Sequence, residues 1–142
     1  MTLDAEIFLD AAYLIALGQP GDEFHARAME LSAVIQTRHV RTVTSRAVLL
    51  EVGSALSRTR HRAAAVRLLD ALQSTSTVSI IPLTEELAQA GWATFRRRPD
   101  KEWSWTDCIS FLLMKERGIR QALTTDEHFE QAGFEALLKS ER

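Results

Sequence analysis

Three short apolar runs, each stopped by a polar residue or a proline, limit what this chain can fold into more than any other feature. Ile7-Phe8-Leu9 stops at Asp10, Val78-Ser79-Ile80-Ile81 stops at Pro82, and Gln121-Ala122-Leu123-Thr124 leads to Asp126. They are too short for helices and lack the regular alternation of a half-exposed strand. They therefore read as strands covered on both faces, the condition of a parallel sheet. A weaker run lies at Val40 to Val43.

Helical patterns separate the runs. Phe24, Ala28, Leu31 and Ile35 recur at helical spacing, as do Val48, Val52, Ala55 and Leu56, and then Val66, Leu69 and Leu72. Thr84 before Glu85-Glu86 opens a helix that closes in Arg96-Arg97-Arg98 ahead of Pro99, the charge order that suits the helix dipole. Another runs from Trp105 to Arg117 and ends at Gly118, a C-terminal cap. Strands alternating with helices predict an α/β fold, a three-layer α/β/α sandwich around a central, mainly parallel sheet. No Gly-, Pro- or Ser-rich linker and no repeat interrupts the pattern, so residues 1–142 are expected to form a single domain.

Composition narrows the function. A chain of 142 residues, 46% of them hydrophobic, can build its core without disulfides or a structural metal, which leaves metals free for chemistry. Its one cysteine, Cys108, excludes an internal disulfide and favours a reducing compartment. Seventeen Lys and Arg against nineteen Asp and Glu give a net charge of -2, so any contact with nucleic acid is local rather than by bulk charge. Met1 to Glu6 carry no basic segment, and no apolar run nears the ~18 residues of a membrane span. These features predict a cytoplasmic protein with no membrane partner.

In parallel sheets ligands sit outside the carboxyl ends of the strands, and acids fall there. Asp10 and Asp126 follow two of the predicted strands, and Asp107 lies near the start of the helix before the strand that leads to Asp126. Glu51 is the fourth candidate, flanked one turn either side by Ala47 and Ala55, which leave room around its carboxylate. Carboxylates that converge without a basic partner repel one another and raise their own pKa values. A hard divalent cation resolves that conflict, and Mg²⁺ or Mn²⁺ on oxygen ligands points to phosphoryl chemistry. Each acid also has a plainer explanation. Asp10 and Asp126 can cap the helices that follow, Ser104 to Asp107 has capping-box spacing, and Glu51 can pair with Arg58 on the surface. Those four explanations are independent, whereas one metal accounts for all four positions.

Phe8-Leu9-Asp10, Leu50-Glu51-Val52, Trp105-Thr106-Asp107-Cys108-Ile109-Ser110, and Leu123-Thr124-Thr125-Asp126-Glu127-His128-Phe129 with Ala132-Gly133-Phe134 resemble the PIN domain family, and within it the VapC-like ribonuclease toxins of bacterial toxin-antitoxin pairs. The likeness runs from about Ile7 to Leu137, and its last block is the most specific part. The resemblance implies a Mg²⁺-dependent endoribonuclease, with Mn²⁺ as substitute, whose acidic centre is Asp10, Glu51, Asp107 and Asp126. In the family the positions of Asp10 and Asp107 are the usual metal ligands. It further implies 5'-phosphate and 3'-hydroxyl products, a homodimer, and a cognate antitoxin that blocks the site. One departure stands out: many members carry Ser, Thr or Asn just after the first Asp, where this chain has Ala11-Ala12. Thr106 or Thr124 is a candidate to supply the missing hydroxyl.

Two other functions compete. A catalytically silent PIN-like module that binds RNA or protein is disfavoured by the presence of all four acids. A receiver-type phosphoacceptor resembles a pattern of paired acids after the first strand and a late lysine; Ala11-Ala12 and the lack of a lysine near Asp126 disfavour it.

Among the remaining residues, Cys108 reads as a small core residue. His25, His39, His61 and His128 show no metal-ligand spacing, though His128 is close enough to Asp126 to touch substrate. Arg58, Arg60, His61, Arg62 and Arg67 form one basic group, and Arg96, Arg97, Arg98 and Lys101 another. Both read either as helix ends with charge favourable to the dipole or as an RNA backbone track. Trp103 and Trp105 read as core or dimer packing ahead of base stacking.

Overall fold

The computed structural model describes residues 2–139. In chain order its elements are β1 (Glu6–Leu9), α1 (Ala11–Gly18), α2 (His25–Arg38), β2 (Arg41–Ser45), α3 (Arg46–Ala55) and α4 (Thr59–Ser74). There follow β3 (Val78–Ile81), α5 (Glu85–Arg97), α6 (Trp105–Arg117), β4 (Gln121–Leu123), α7 (Glu127–Gln131) and β5 (Glu135–Ala136). The strands form one sheet in the order β3-β2-β1-β4-β5. Every pairing is parallel, with Phe8 beside Val43 on one side and beside Ala122 on the other. The sheet grows outward from β1 in both directions, so the order reverses beside β1, where the carboxyl ends of β1 and β4 leave a crevice for ligands.

The apolar runs behave as their place in the sheet requires. Residues 7–9 of β1 and all of β4 are buried, as expected of strands covered on both faces. β3 is only half covered, because it is an edge strand. The weak run at Val40 to Val43 shifts to Arg41–Ser45 and ends in two fully buried polar residues, Thr44 and Ser45. Both are satisfied: the Thr44 hydroxyl donates to the Leu9 carbonyl at 2.8 Å, and Ser45 caps α3 by accepting from the Val48 amide. Apolar patterning alone misses such positions, since hydrogen bonding is what makes their burial tolerable.

Local signals place the helix ends. Thr84 caps α5, and its last turn carries Arg96 and Arg97. Ser104 and Asp107 form a reciprocal capping box on α6, which ends at Gly118 in the left-handed conformation with φ 69°. α5 and α6 approach so closely that a Cβ on Gly91 would lie 2.6 Å from Ile109 Cγ1. On the other side of α6, Phe111 packs edge-on against Phe129 and Trp103, with centroids 5.0 and 5.1 Å apart. Short α7 is thereby held against α6, and the acids at the start of each helix are kept together. Cys108 is fully buried, as a core residue should be. The two tryptophans part company, Trp103 being buried and Trp105 exposed. Among the described residues no helix is long and apolar enough to cross a membrane.

Candidate active site

The four acids meet at the carboxyl end of β1 and β4. Asp10 occupies the N-cap position of α1, yet its side chain makes no capping bond. It turns inward instead, where its Oδ2 accepts a 2.7 Å hydrogen bond from the Thr124 hydroxyl. Only 6% of Asp10 is exposed. Burial pushes its pKa up to about 7 against the pull of Thr124 and the Ala11 amide, and the charges of Asp107 and Glu51 push it the same way. The hydroxyl that Ala11-Ala12 cannot offer thus comes from Thr124. The same oxygen accepts from the Asp126 amide at 3.0 Å, so one buried hydroxyl fixes two acids.

Asp107 and Asp126 do cap their helices, and neither is used up by it. Asp107 Oδ2 accepts from the Ser104 amide at 3.0 Å and from His128 Nδ1 at 2.9 Å. Its Oδ1 takes no hydrogen bond among the described residues. Burial raises its pKa, the Ser104 amide and His128 oppose this, and the Asp126 charge adds to it. Asp126 Oδ1 accepts from the His128 amide at 2.9 Å and lies 3.2 Å from His128 Nδ1. Capping and site geometry here are one arrangement, because the carboxylate that closes a helix N-terminus is also held in a fixed orientation.

Glu51 stands on α3 as an exposed residue, and among the described residues it makes no ion pair with Arg58. Partial burial of its carboxyl raises its pKa, helped by the charges of Asp107 and Asp126. Its electrostatic partners are therefore the other acids, as the metal reading expects and the surface-pair reading does not.

One expectation is corrected: the acids do not converge without a basic partner. His128 bridges Asp107 and Asp126, and together the three offer ligand atoms all within 4.8 Å of one another. Partial burial pulls the His128 pKa down, but the Asp107 bond and the charges of Asp126, Asp107 and Glu127 outweigh it and leave it raised. Sequence spacing puts His128 near Asp126 only; the contact with Asp107 comes from α7 packing on α6. Ser110 stands in the sequence block that resembles the family, where no role is read for it. Its hydroxyl is buried one turn along α6 from Asp107, with no hydrogen-bond partner among the described residues.

The donors suit a hard divalent cation. They are chiefly carboxylate oxygens, and Asp10, the most buried of them, has no cationic side chain beside it among the described residues to balance its charge.

The two basic groups differ. Arg96 and Arg97 sit in the last turn of α5, where the helix dipole favours them, and Arg98 forks onto Asp100 with two 3.0 Å bonds. The other group is placed the opposite way: Arg58 is the N-cap of α4, and Arg60 and Arg62 lie in its first turns, with no acid there and no side-chain cap. The expectation of dipole-favoured charge thus holds for α5 and fails for α4.

Comparison with known proteins finds a family model, sequence relatives and a solved structure. The PIN domain family model matches residues 7–135. The 23S rRNA-specific endonuclease VapC20, from two strains of Mycobacterium tuberculosis, is 33% identical over 129 residues, covering 90% of this chain and 95% of the relative. The crystal structure of Mycobacterium tuberculosis VapC20, described as a sarcin-ricin loop cleaving toxin, superposes with a TM-score of 0.80 at 32% identity and covers 90% of this chain and 95% of that one.

Proposed function

This chain belongs to the PIN domain family, and from that premise we propose that it is a metal-dependent endoribonuclease that hydrolyses RNA phosphodiester bonds as the toxin of a toxin-antitoxin pair. The observation that carries the reading is the buried Asp10 carboxylate, without a cationic side chain beside it among the described residues and within electrostatic reach of Asp107 and Glu51. A charge so placed is costly unless a cation joins it. Asp10 and Asp107 are the direct ligands in this reading, and Glu51 and Asp126 complete the site directly or through water. Mg²⁺ is the proposed ion, with Mn²⁺ as substitute; when bound it supplies a water of lowered pKa and neutralises charge on the phosphoryl group. The protein contributes orientation. Thr124 holds Asp10 and the Asp126 backbone, and the Ser104 amide and His128 fix Asp107 through Oδ2 and leave Oδ1 free to bind. Exposed Glu51 stands on the solvent side, where it can orient an attacking water.

Arg58, Arg60, Arg62, Arg96 and Arg97 form no ion pair among the described residues, which suits them to phosphate contacts. The proposed products are a 5'-phosphate and a 3'-hydroxyl, the proposed assembly is a homodimer blocked by a cognate antitoxin, and the proposed location is the cytoplasm. A catalytically silent module has no use for four acids and their fixed hydrogen bonds. The test is incubation of the purified protein with 23S rRNA and with a sarcin-ricin loop hairpin in Mg²⁺, in Mn²⁺ and in EDTA, followed by mapping of new 5' ends. Discrete metal-dependent cuts in either RNA are expected; intact RNA in every condition while the protein still binds it would favour the silent module.

A further inference from the structure

Asp107, Asp126 and His128 form a tighter cluster than the four acids do. Their ligand atoms all lie within 4.8 Å of one another, and among the described residues no other group of three or more Asp, Glu, His and Cys side chains comes so close. Asp10 and Glu51 stand outside it. His128 Nδ1 lies 2.9 Å from Asp107 Oδ2 and 3.2 Å from Asp126 Oδ1. Neighbouring atoms bound to one cation at ~2.0–2.2 Å must themselves be roughly 2.8–3.6 Å apart, from octahedral to tetrahedral geometry. The two spacings already meet that requirement.

The donors are held in advance. Asp107 Oδ2 accepts from the Ser104 amide and Asp126 Oδ1 from the His128 amide, so each carboxylate is pinned to the start of its helix. Each oxygen keeps a further lone pair. Nδ1 faces two carboxylate oxygens, which accept and do not donate when ionised, so it carries a hydrogen directed between them. A metal bond would use the same direction of the ring, and a divalent cation can replace that hydrogen without turning the imidazole. The Asp107, Asp126 and His128 side chains are 12%, 30% and 23% exposed, so an ion reaches them from solvent. Asp107 Oδ1, the atom left free for Mg²⁺, is not used.

We propose that these three side chains form a second metal site, separate from the position at Asp10, that takes a transition cation of the Zn²⁺ class in preference to Mg²⁺. The imidazole nitrogen sets the preference. Mg²⁺ favours oxygen donors and gives up its waters reluctantly, whereas Zn²⁺ and Co²⁺ accept one nitrogen beside two carboxylates. Three protein ligands also leave a position open for water. An imidazole that only oriented Asp107 would need one carboxylate at Nδ1; here two converge on it, from the starts of α6 and α7. The proposal does not depend on the nuclease reading, because the three ligands are in place whether or not the chain cuts RNA.

The test uses Co²⁺ as a spectroscopic probe, added to the untagged, metal-free protein in the presence of excess Mg²⁺. A single bound ion should give visible absorption and a paramagnetically shifted proton signal from the Nε2–H of a histidine ligated through Nδ1, a signal that vanishes in D₂O. His128→Gln keeps an amide able to reach a carboxylate but offers no imidazole. It should lose the shifted signal and bind Co²⁺ at least about tenfold more weakly. Asp10→Asn should keep the signal and bind Co²⁺ within about threefold of the parent. Circular dichroism and a thermal melt in EDTA establish that each variant is folded; if His128→Gln is not, the parent signal and the Asp10→Asn titration decide. The proposal is overturned if no exchangeable shifted proton appears, if His128→Gln keeps the signal or the affinity, or if Mg²⁺ displaces the Co²⁺. It is also overturned if Asp10→Asn loses the ion, which then sits at the position proposed for Mg²⁺. If Co²⁺ binds as expected but the protein cuts no RNA, the second site stands and the nuclease reading falls.

Discussion

Thr124 is the residue that organises the acids. Its hydroxyl donates a hydrogen bond to Asp10 Oδ2 at 2.7 Å and accepts one from the Asp126 amide at 3.0 Å. Thr124→Val keeps the shape and removes both bonds, so chemical denaturation should show a loss of about 1–3 kcal/mol, the range for a buried group left unpaired. Asp10 makes a prediction about pH. Its folded pKa of about 7 lies above the 3.8 of an ordinary aspartate. Between those values the folded protein keeps a proton that the unfolded chain has released, so without metal stability falls as pH rises through that window and levels off above it. Asp10→Asn cannot ionise. In EDTA its melting midpoint should match the parent near pH 4 and exceed it by roughly 5–10 °C at pH 8, while metal-dependent cleavage is lost. A parent midpoint independent of pH over that range would show that the Asp10 carboxyl is compensated in the folded protein. Glu51→Gln separates chemistry from binding. Single-turnover cleavage should slow by at least about tenfold with RNA affinity unchanged, because an exposed acid without a cationic partner contributes little to stability or substrate binding. Full activity would remove Glu51 from the site.

Between elements, α4 and α5 place cations at opposite ends of their dipoles, so the two groups differ in what they do for the stability of their helices. Arg96 and Arg97 in the last turn of α5 favour that helix, so neutralising them to Gln should cost about 0.3–1 kcal/mol each at low salt. Arg58 and Arg60 at the start of α4 oppose its dipole, so the same change there should be neutral or stabilising. If α4 keeps its arginines for RNA, the Arg58→Gln/Arg60→Gln protein gains stability and loses affinity. The slope of log affinity against log salt should then flatten by about 0.7 for each single-strand phosphate contact removed. An unchanged slope would place the RNA track elsewhere. Paired melts and salt titrations of the two double variants read both quantities.

At the scale of the molecule, the acidic site lies at the carboxyl-terminal end of the sheet, beyond β1 and β4, and the bulk of the core is apolar packing. The main hydrophobic cluster packs side chains of β1, α1, α3, α6 and β4 together with others from α2, β2 and α7, apolar contacts that need no metal. EDTA should therefore leave the circular dichroism spectrum intact. Adding Mn²⁺ should raise the melting midpoint in proportion to the logarithm of its concentration above Kd, with no rise in Asp10→Asn. Unfolding on chelation would instead make the metal structural. The overall charge of -2 does not attract RNA by itself, so binding should depend on where the cations lie and weaken steeply with salt.

Where the deciding chemistry lies within a few residues, the sequence determined it. The strands of Ile7-Phe8-Leu9 and Gln121-Ala122-Leu123, the capping boundaries at Thr84, Ser104-Asp107 and Gly118, and the candidacy of each acid all follow from neighbours along the chain. The convergence of the acids was legible through the rule that ligands sit beyond the carboxyl ends of parallel strands and through the order and spacing that resemble PIN domains, because no local pattern carries it. Tertiary structure decided the rest. It turned Asp10 away from capping and toward Thr124, a partner 114 positions distant, through the parallel pairing of β1 with β4. It buried Thr44 by giving its hydroxyl the Leu9 carbonyl, left β3 half covered at the sheet edge, and set His128 between two acids when α7 packed on α6. It also put Trp103 inside and Trp105 outside, two positions apart on the chain. A side chain's energy depends on what surrounds it in space, and the packing of the sheet brings together groups whose separation along the chain gives no sign of it.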